Sequence, residues 1–265
     1  MNDIRLQVII FIAAMLLLFA SFLIAFIFNQ RKKYQYQKDV QSLREQQQNQ
    51  LIEAAVRSEE MERHRIAETL HDEVGAILSS SRLHIENIKT ATLDKRDKEL
   101  HEKGKELLDE GLKLVRNISH NLHSNILKEF GLNEAIRHFF NMTVKGTLIK
   151  TETDLDPAYK TRYAENDISI YRMIQELLNN ILKHAHPKEI KIHSKLTSEN
   201  LLITIKHDGL GITQKQFEEL RYKKDGLGLK NIQNRVILIK GTIFFSSNGK
   251  ASMIQIIIPN KNQVI

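Results

Sequence analysis

The sequence predicts an α+β chain made of an N-terminal transmembrane helix, a helical hairpin that dimerises into a four-helix bundle, and a C-terminal α/β sandwich. Three observations lead there. All three prolines (Pro157, Pro187, Pro259) fall in the second half of the 265 residues and the first glycine is Gly75, so the opening stretch lacks helix breakers. No charged residue occurs from Val8 to Phe28. Glycines then gather in pairs, Gly209 with Gly211 and Gly226 with Gly228, among Ile- and Leu-rich runs that read as strands.

Composition removes several classes at once. With 42% hydrophobic and 27% charged residues the chain is globular, which excludes wholesale disorder and collagen-like repeats. Cysteine is absent, and with it disulfides, thiolate zinc sites, iron–sulfur clusters and a cysteine nucleophile. Tryptophan is also absent, so a stacking platform for nucleic acid would have to be assembled from Phe and Tyr alone.

The uncharged run from Val8 to Phe28 is nearly all Ile, Leu, Phe, Ala, Val and Met, and as a helix it measures about 31 Å, enough to cross a bilayer. A cleaved signal peptide has a shorter apolar core and a small-residue cleavage site, neither of which fits. Arg31, Lys32, Lys33 and Lys38 follow directly. By the positive-inside bias they predict a single pass through the cytoplasmic membrane, with the N-terminus outside and everything after residue 30 in the cytoplasm. With so few residues ahead of the helix, no outer sensing domain is expected. These cations account for much of the +7 net charge, and their expected contact is anionic lipid. No module for direct nucleic-acid binding follows them.

From Tyr34 onward the chain stays free of proline, first as a Gln-rich polar stretch with apolar residues at Val40, Leu43, Leu51 and Ile52. Continuity with the helices on either side predicts a coiled connecting rod. Ile66, Leu70, Val74, Ile77, Ser81, Ile85 and Ile88 then recur at helical spacing, and so do Leu107, Gly111, Leu114, Ile118 and Leu122. A polar turn near Ala91–Asp97 separates the two runs. The apolar stripes of one hairpin cannot bury each other completely, so two hairpins pairing as a four-helix homodimer is the economical solution. On the first helix His71 sits at the edge of the apolar stripe, facing solvent beside Asp72.

In the second half, residues 168–186 read as a helix ending before Pro187, with Glu176, Asn180, Lys183 and His184 on one face. Strands are predicted at Glu189–Leu196 and Leu201–Lys206, and Asn248-Gly249 marks a hairpin between Gly241–Ser247 and Lys250–Ile258. The second strand runs into His207-Asp208-Gly209-Leu210-Gly211. A polar segment, Thr213–Asp225, leads to Gly226-Leu227-Gly228-Leu229, where an apolar-periodic helix begins. Backbone N–H groups at such a helix start bind phosphate.

This ordered set resembles the two-component sensor histidine kinases with a GHKL ATPase domain. The motifs that carry the resemblance are His71-Asp72, Glu176 to Ala185, Asp208 to Gly211 and Gly226 to Arg235. More narrowly it resembles the subfamily whose His-Asp phosphoacceptor helix serves NarL/LuxR-type response regulators. The stretch Leu122–Phe139 is similar to that subfamily's link between helical and ATPase domains.

The resemblance implies four parts: a transmembrane anchor (1–30), a helical coiled linker (31–60), a dimerisation and histidine phosphotransfer domain (61–125) and an ATP-binding catalytic domain of Bergerat type (126–265). It implies that His71 takes the γ-phosphoryl group of ATP, with Asp72 fixing its tautomer, and passes it to an aspartate of a response regulator. The expected cofactors are ATP and Mg²⁺. Asn180 is the expected metal ligand, with Glu176 acting directly or through water. Lys183, His184, His207, Asp208, Gly209, Gly211, Gly226, Gly228 and Leu229 complete the expected nucleotide site.

Two departures from the family pattern stand out. Where relatives open the first glycine box with an adenine-reading aspartate, this chain has His207. Where many carry a Gln that positions water for dephosphorylating the regulator, it has Ala76, which implies weak or absent phosphatase activity. The first departure keeps a rival reading open: a non-catalytic, nucleotide-binding dimeric signalling scaffold.

Overall fold

The structure, a computed structural model, describes residues 2–88, 94–122, 125–160, 164–223, 226–249 and 251–260. Parts of the expected turn at 91–97, of the polar segment 213–225 and of the hairpin loop at Lys250 lie outside the described residues. The chain divides into two units, Met1–Leu51 and Ile52–Ile265.

The first unit is helical, belonging to α1 (Asn2–Thr69). Among the described side chains, large apolar ones such as Phe11, Leu17 and Phe28 are exposed. Among the described residues one helix is long and apolar enough to cross a membrane, by length and composition.

In the second unit α1 runs to Thr69, a π-helical turn occupies Leu70–Val74, and α2 (Gly75–Glu86) follows. Such turns insert one extra residue per turn and often mark functional positions. This one contains His71 and Asp72. The Asp94 side chain caps the next helix by accepting from Asp97 N–H at 2.7 Å. That helix, α3 (Lys95–Leu122), folds back along α2 and the end of α1. The ring of His101 meets the Ile85 carbonyl at 2.9 Å, and Ser119 donates to the Ala67 carbonyl at 3.0 Å. Leu112 is buried between the helices, while Ile77, Leu100, Leu107, Leu114 and Ile118 stay exposed.

α4 (Asn125–Val144) bends at Gly131 and leads to β1 (Lys150–Asp154) and α5 (Ala164–Asn180). A second π-helical turn, Ile181–Ala185, ends at His186 in the left-handed conformation (φ 48), directly before Pro187. Proline disfavours helix in the residue ahead of it, which stops the helix where the sequence predicts. β2 (Glu189–Leu196), β3 (Asn200–His207), α6 (Gln214–Leu220), α7 (Leu227–Leu238), β4 (Thr242–Ser247) and β5 (Ser252–Pro259) complete the unit.

The sheet order is β1-β2-β3-β5-β4, with β1 parallel to β2 and the other pairs antiparallel. Alternate residues on one face, Ile190, Ile192, Ile203, Ile205, Ile254, Ile256 and Phe245, form one core with Ile170, Ile174, Leu177 and Leu178 of α5 and Ile232 and Val236 of α7. The opposite face carries Lys191, Lys195 and Lys206, so the sheet is covered by helices on one side only, as period-two patterning requires. The Asn248-Gly249 hairpin forms, with a four-residue loop closed by Ser247 opposite Ser252 and not the two-residue turn that Asn-Gly alone suggests. Two elements went unread in the sequence: β1, which is short, polar and exposed, and α6, which lies inside the segment read only as polar.

Candidate active site

α5 and its π-helical turn carry Glu176, Asn180, Lys183 and His184 along one face, because helical spacing stacks those positions. They line a cavity of about 680 Å³ together with His207, Gly211, Gly226, Gly228 and Leu229. Ile212, Leu220, Phe245 and Ile254 supply apolar wall, while Lys183, His184 and the start of α7 supply charge and free N–H groups. Gly226 is the N-cap of α7 and offers no side-chain cap, so the first N–H groups of that helix remain available.

Close approach selects glycine at several positions here, two of which shape the site. A Cβ on Gly228 would stand 2.0 Å from Glu176 Oε1, and a Cβ on Gly209 would stand 2.3 Å from the Ala185 carbonyl oxygen. The first lets α7 begin against the acidic side chain of α5. The second lets the loop after β3 lie on the end of the π-helical turn, where Leu210 N–H donates to that carbonyl at 2.9 Å.

Glu176 Oε1 accepts from Asn180 Nδ2 at 3.4 Å, which orients the Asn180 amide and leaves its oxygen for a ligand. His207 is 6% exposed and its Nδ1 has no hydrogen-bond partner among the described residues. Burial holds this imidazole below its ordinary pKa, against the opposing pull of Asp208.

Asp208 and Gly209 do not line the cavity. Asp208 turns outward, and its Oδ1 accepts from the N–H groups of Lys188 and Glu189 at 2.8 and 3.0 Å. These bonds, the one from Glu189 foremost, hold the carboxylate below the usual aspartate range. Its Oδ1 is committed to closing the entry of β2 and the residue does not line the cavity, so the acid next to His207 does not substitute for one at position 207.

His71 lies elsewhere. Its Nδ1 meets Asp72 Oδ1 at 2.9 Å, with the two side chains 71% and 74% exposed. Both line a separate cavity of about 380 Å³ with Ala76, Ser79, Leu112 and Arg116. Arg116 escaped the sequence reading because it sits on the other helix of the hairpin. Its position four residues after the buried Leu112 is the signal that could have found it.

Sequence reasoning also missed the contact between α1 and the α/β layer. Arg235 of α7 donates to Glu59 at 3.0 Å, and Arg172 of α5 pairs with Glu60 while donating to the carbonyls of Asn121 and Leu122 at 3.1 and 2.7 Å. Acidic residues in a polar helix read as solvated; only the fold shows the buried guanidinium groups opposite them.

A His-Asp helix joined to a five-stranded mixed sheet with a glycine-lined, Glu/Asn-bearing cavity defines a histidine kinase of the GHKL class. Residues 62–127 match the family described as histidine kinase, and residues 165–262 match the histidine kinase-, DNA gyrase B- and HSP90-like ATPase family. The chain belongs to the sensor histidine kinases of the NarL-partner subfamily.

It is 26% identical to the sensor histidine kinase MctS of Rhizobium johnstonii over 79% of this chain and 45% of that protein. It is 26% identical to the oxygen sensor histidine kinase NreB of Staphylococcus carnosus over 76% of this chain and 56% of that one. The histidine kinase domain of a blue-light-activated histidine kinase from Erythrobacter litoralis aligns with a TM-score of 0.44 at 18% identity, covering 76% of this chain and 93% of that domain. The chain spans about half the length of the curated relatives it matches.

Proposed function

We propose that this chain autophosphorylates on His71 from Mg²⁺-ATP and passes the phosphoryl group to an aspartate of a cytoplasmic response regulator, the regulator carrying a LuxR/NarL-type DNA-binding domain. The observation that carries the reading is the convergence of Glu176, Asn180, Lys183, His184, Gly226 and Gly228 on one cavity.

The donor set suits a nucleoside triphosphate with its metal. Lys183, His184 and the N–H groups at the start of α7 face phosphate oxygens. Asn180, oriented by Glu176, fits Mg²⁺, which keeps waters and phosphates as its other ligands; it would neutralise the charge of those phosphates. Among the described residues no group of three or more His, Cys, Asp or Glu forms a protein-only metal cage, which suits an ion brought in with the nucleotide.

The Nδ1 contact with Asp72 engages one ring nitrogen and leaves Nε2 as the nucleophile. With the proton on Nδ1 donated to the carboxylate, the Nε2 lone pair forms the N–P bond as the bond between the γ-phosphorus and the bridging oxygen breaks, and ADP leaves with that oxygen. Arg116, in the same cavity as His71, would offset the charge of the phosphohistidine.

The arrangement in the cell follows the same reading. The segment 8–28 anchors the chain in the cytoplasmic membrane in a single pass, N-terminus outside, and the exposed stripe on α2 and α3 pairs with a second copy as a four-helix bundle. The parts are the anchor (1–30), the linker (31–60), the phosphotransfer domain (61–125) and the catalytic domain (126–265).

The experiment is γ-labelled ATP with Mg²⁺ on wild type beside His71→Gln. Acid-labile, base-stable label on wild type alone is expected. ATP binding without label on either protein favours the nucleotide-binding scaffold, a reading that rests on the histidine at position 207.

A further inference from the structure

The glycine-lined cavity has both a polar and an apolar set of lining residues. Asn180, Lys183, His184 and the start of α7 make the first; Ile212, Leu220, Phe245 and Ile254 belong to the second, which suits a flat aromatic ring. His207, the last residue of β3, also lines this cavity and is not placed on the phosphates or the metal above. It is buried between the partners of β3, opposite Ile190 on one side and Ser252 on the other.

What matters is the missing partner. In a neutral imidazole the hydrogen bond made by one nitrogen decides which nitrogen carries the proton. Nδ1 of His207 is enclosed and has no hydrogen-bond partner among the described residues. Among the described residues no partner at Nδ1 fixes the tautomer, so the other ring nitrogen can present either an N–H donor or a lone-pair acceptor to whatever occupies the cavity. The depressed pKa from burial keeps the ring in this two-faced neutral form at neutral pH. A carboxylate in the same place could only accept.

We infer that His207 reads the base of the bound nucleotide and does so without distinguishing an amino from an oxo group at C6 of a purine, so that the site takes 6-aminopurine and 6-oxopurine nucleoside triphosphates alike. The inference rests on the nucleotide reading of the cavity and deepens it. It makes His207 a specificity-determining residue acting by tolerance. The 6-amino group donates to the ring as acceptor; the 6-oxo group accepts from the ring as donor.

The test measures the dissociation constants of ATP and ITP, which differ in that substituent and in the proton that the 6-oxo form carries on N1. They are read by calorimetry on the full chain in detergent, carrying His71→Gln so that nucleotide is bound and not consumed. In that background the two constants are expected within about threefold of each other, because either tautomer completes the bond. Adding His207→Asp is expected to favour ATP by about tenfold or more, since the carboxylate faces the 6-oxo group with no proton to give. Adding His207→Asn keeps the ratio near that of the parent, because a carboxamide turns either its donor or its acceptor inward.

The ratio is internal to each variant, so a partly folded sample does not distort it. A parent that already favours ATP tenfold, or a His207→Asp variant whose ratio does not move, overturns the inference and leaves the ATP reading standing. Failure of both nucleotides to bind overturns that reading and this one together.

Discussion

Arg235 donates from Nη2 to the Glu59 carboxylate at 3.0 Å, joining α7 to α1 across 176 positions of sequence. Arg235 is 3% exposed, and burial pulls its guanidinium pKa down against the raising effect of Glu59 and Glu60. Beside it Arg172 binds Glu60 and the last carbonyls of α3. The two arginines stand on the two helices that build the nucleotide cavity: α5 with Glu176 and Asn180, α7 with its open N-terminus. The end of α1 therefore holds both walls of that cavity.

Removing Glu59 leaves Arg235 buried with neither Nη group paired. Breaking a buried pair costs about 3–5 kcal/mol, and because the Glu59 side chain keeps 26% of its exposure, Glu59→Ala is expected at about 1–3 kcal/mol. Denaturant unfolding of the full chain checks the size. Hydrogen exchange checks the place: faster exchange along α7 with the π-helical turn at His71 unchanged is the expected pattern, and uniform acceleration speaks against it.

Two glycine substitutions separate stability from binding. At Gly209 a methyl group meets the backbone carbonyl of Ala185, which cannot move without breaking the end of the π-helical turn. Gly209→Ala is expected to cost about 1–3 kcal/mol by overpacking. At Gly228 the methyl meets the tip of Glu176, a flexible side chain that swings aside. Gly228→Ala is expected to leave the unfolding midpoint nearly unchanged and to weaken nucleotide binding, because the displaced carboxylate no longer orients Asn180. Equal losses of stability in the two variants would contradict this.

Where periodicity was strong, the sequence was legible. The face of Glu176, Asn180, Lys183 and His184, the stop before Pro187 and the strands at 189–196 and 201–206 follow from spacing, and the structure brings those four side chains to one cavity with both glycine pairs nearby. Local chemistry without periodicity was harder. α6 announces itself only through Thr213 and Gln216, whose side chains reciprocally cap its first turn, Gln216 Oε1 accepting from Thr213 N–H at 2.8 Å. β1 has no apolar alternation because both its faces are largely exposed. The π-helical turns at 70–74 and 181–185 leave no mark in spacing, since one inserted residue only rotates the stripe. Asp208 was placed in the site by its neighbours; the backbone N–H groups that claim its carboxylate come from the start of β2, which sequence order does not display.

Leu107 and Leu114 lie one heptad apart on α3, 58% and 55% exposed in the single chain. The proposed dimeric bundle would cover them. Leu114→Glu is expected to convert dimer to monomer in light scattering of the detergent-solubilised chain, with helical content retained because the side chain has little packing within its own hairpin. A monomeric wild type, or a variant that remains dimeric, would remove this stripe as the dimer surface.

Ala76 shares the cavity of His71 and brings no polar atom there with which to hold an attacking water. A phosphorylated regulator is therefore expected to decay at nearly its intrinsic rate when the chain is added with ADP. Ala76→Gln, on an exposed helical position that tolerates the longer side chain, is expected to accelerate that decay. Strong acceleration by wild type would show that another group positions the water.

His207 makes stability depend on pH in a defined direction. Its folded-state pKa lies below the ordinary histidine value of about 6.5 because burial disfavours the charged ring. Between that value and its folded pKa, the unfolded chain binds a proton that the folded chain refuses, so stability rises with pH. The contribution is fully present above about pH 6.5 and is lost as pH falls through the folded pKa. Asp208 beside it opposes the shift without reversing it. The unfolding midpoint of wild type is expected to drop from pH 7 to pH 5 more steeply than that of His207→Asn, whose side chain does not titrate there. The other histidines are common to both proteins, so the difference between the two slopes belongs to this ring, and parallel curves would mean that position 207 takes up its proton as readily folded as unfolded.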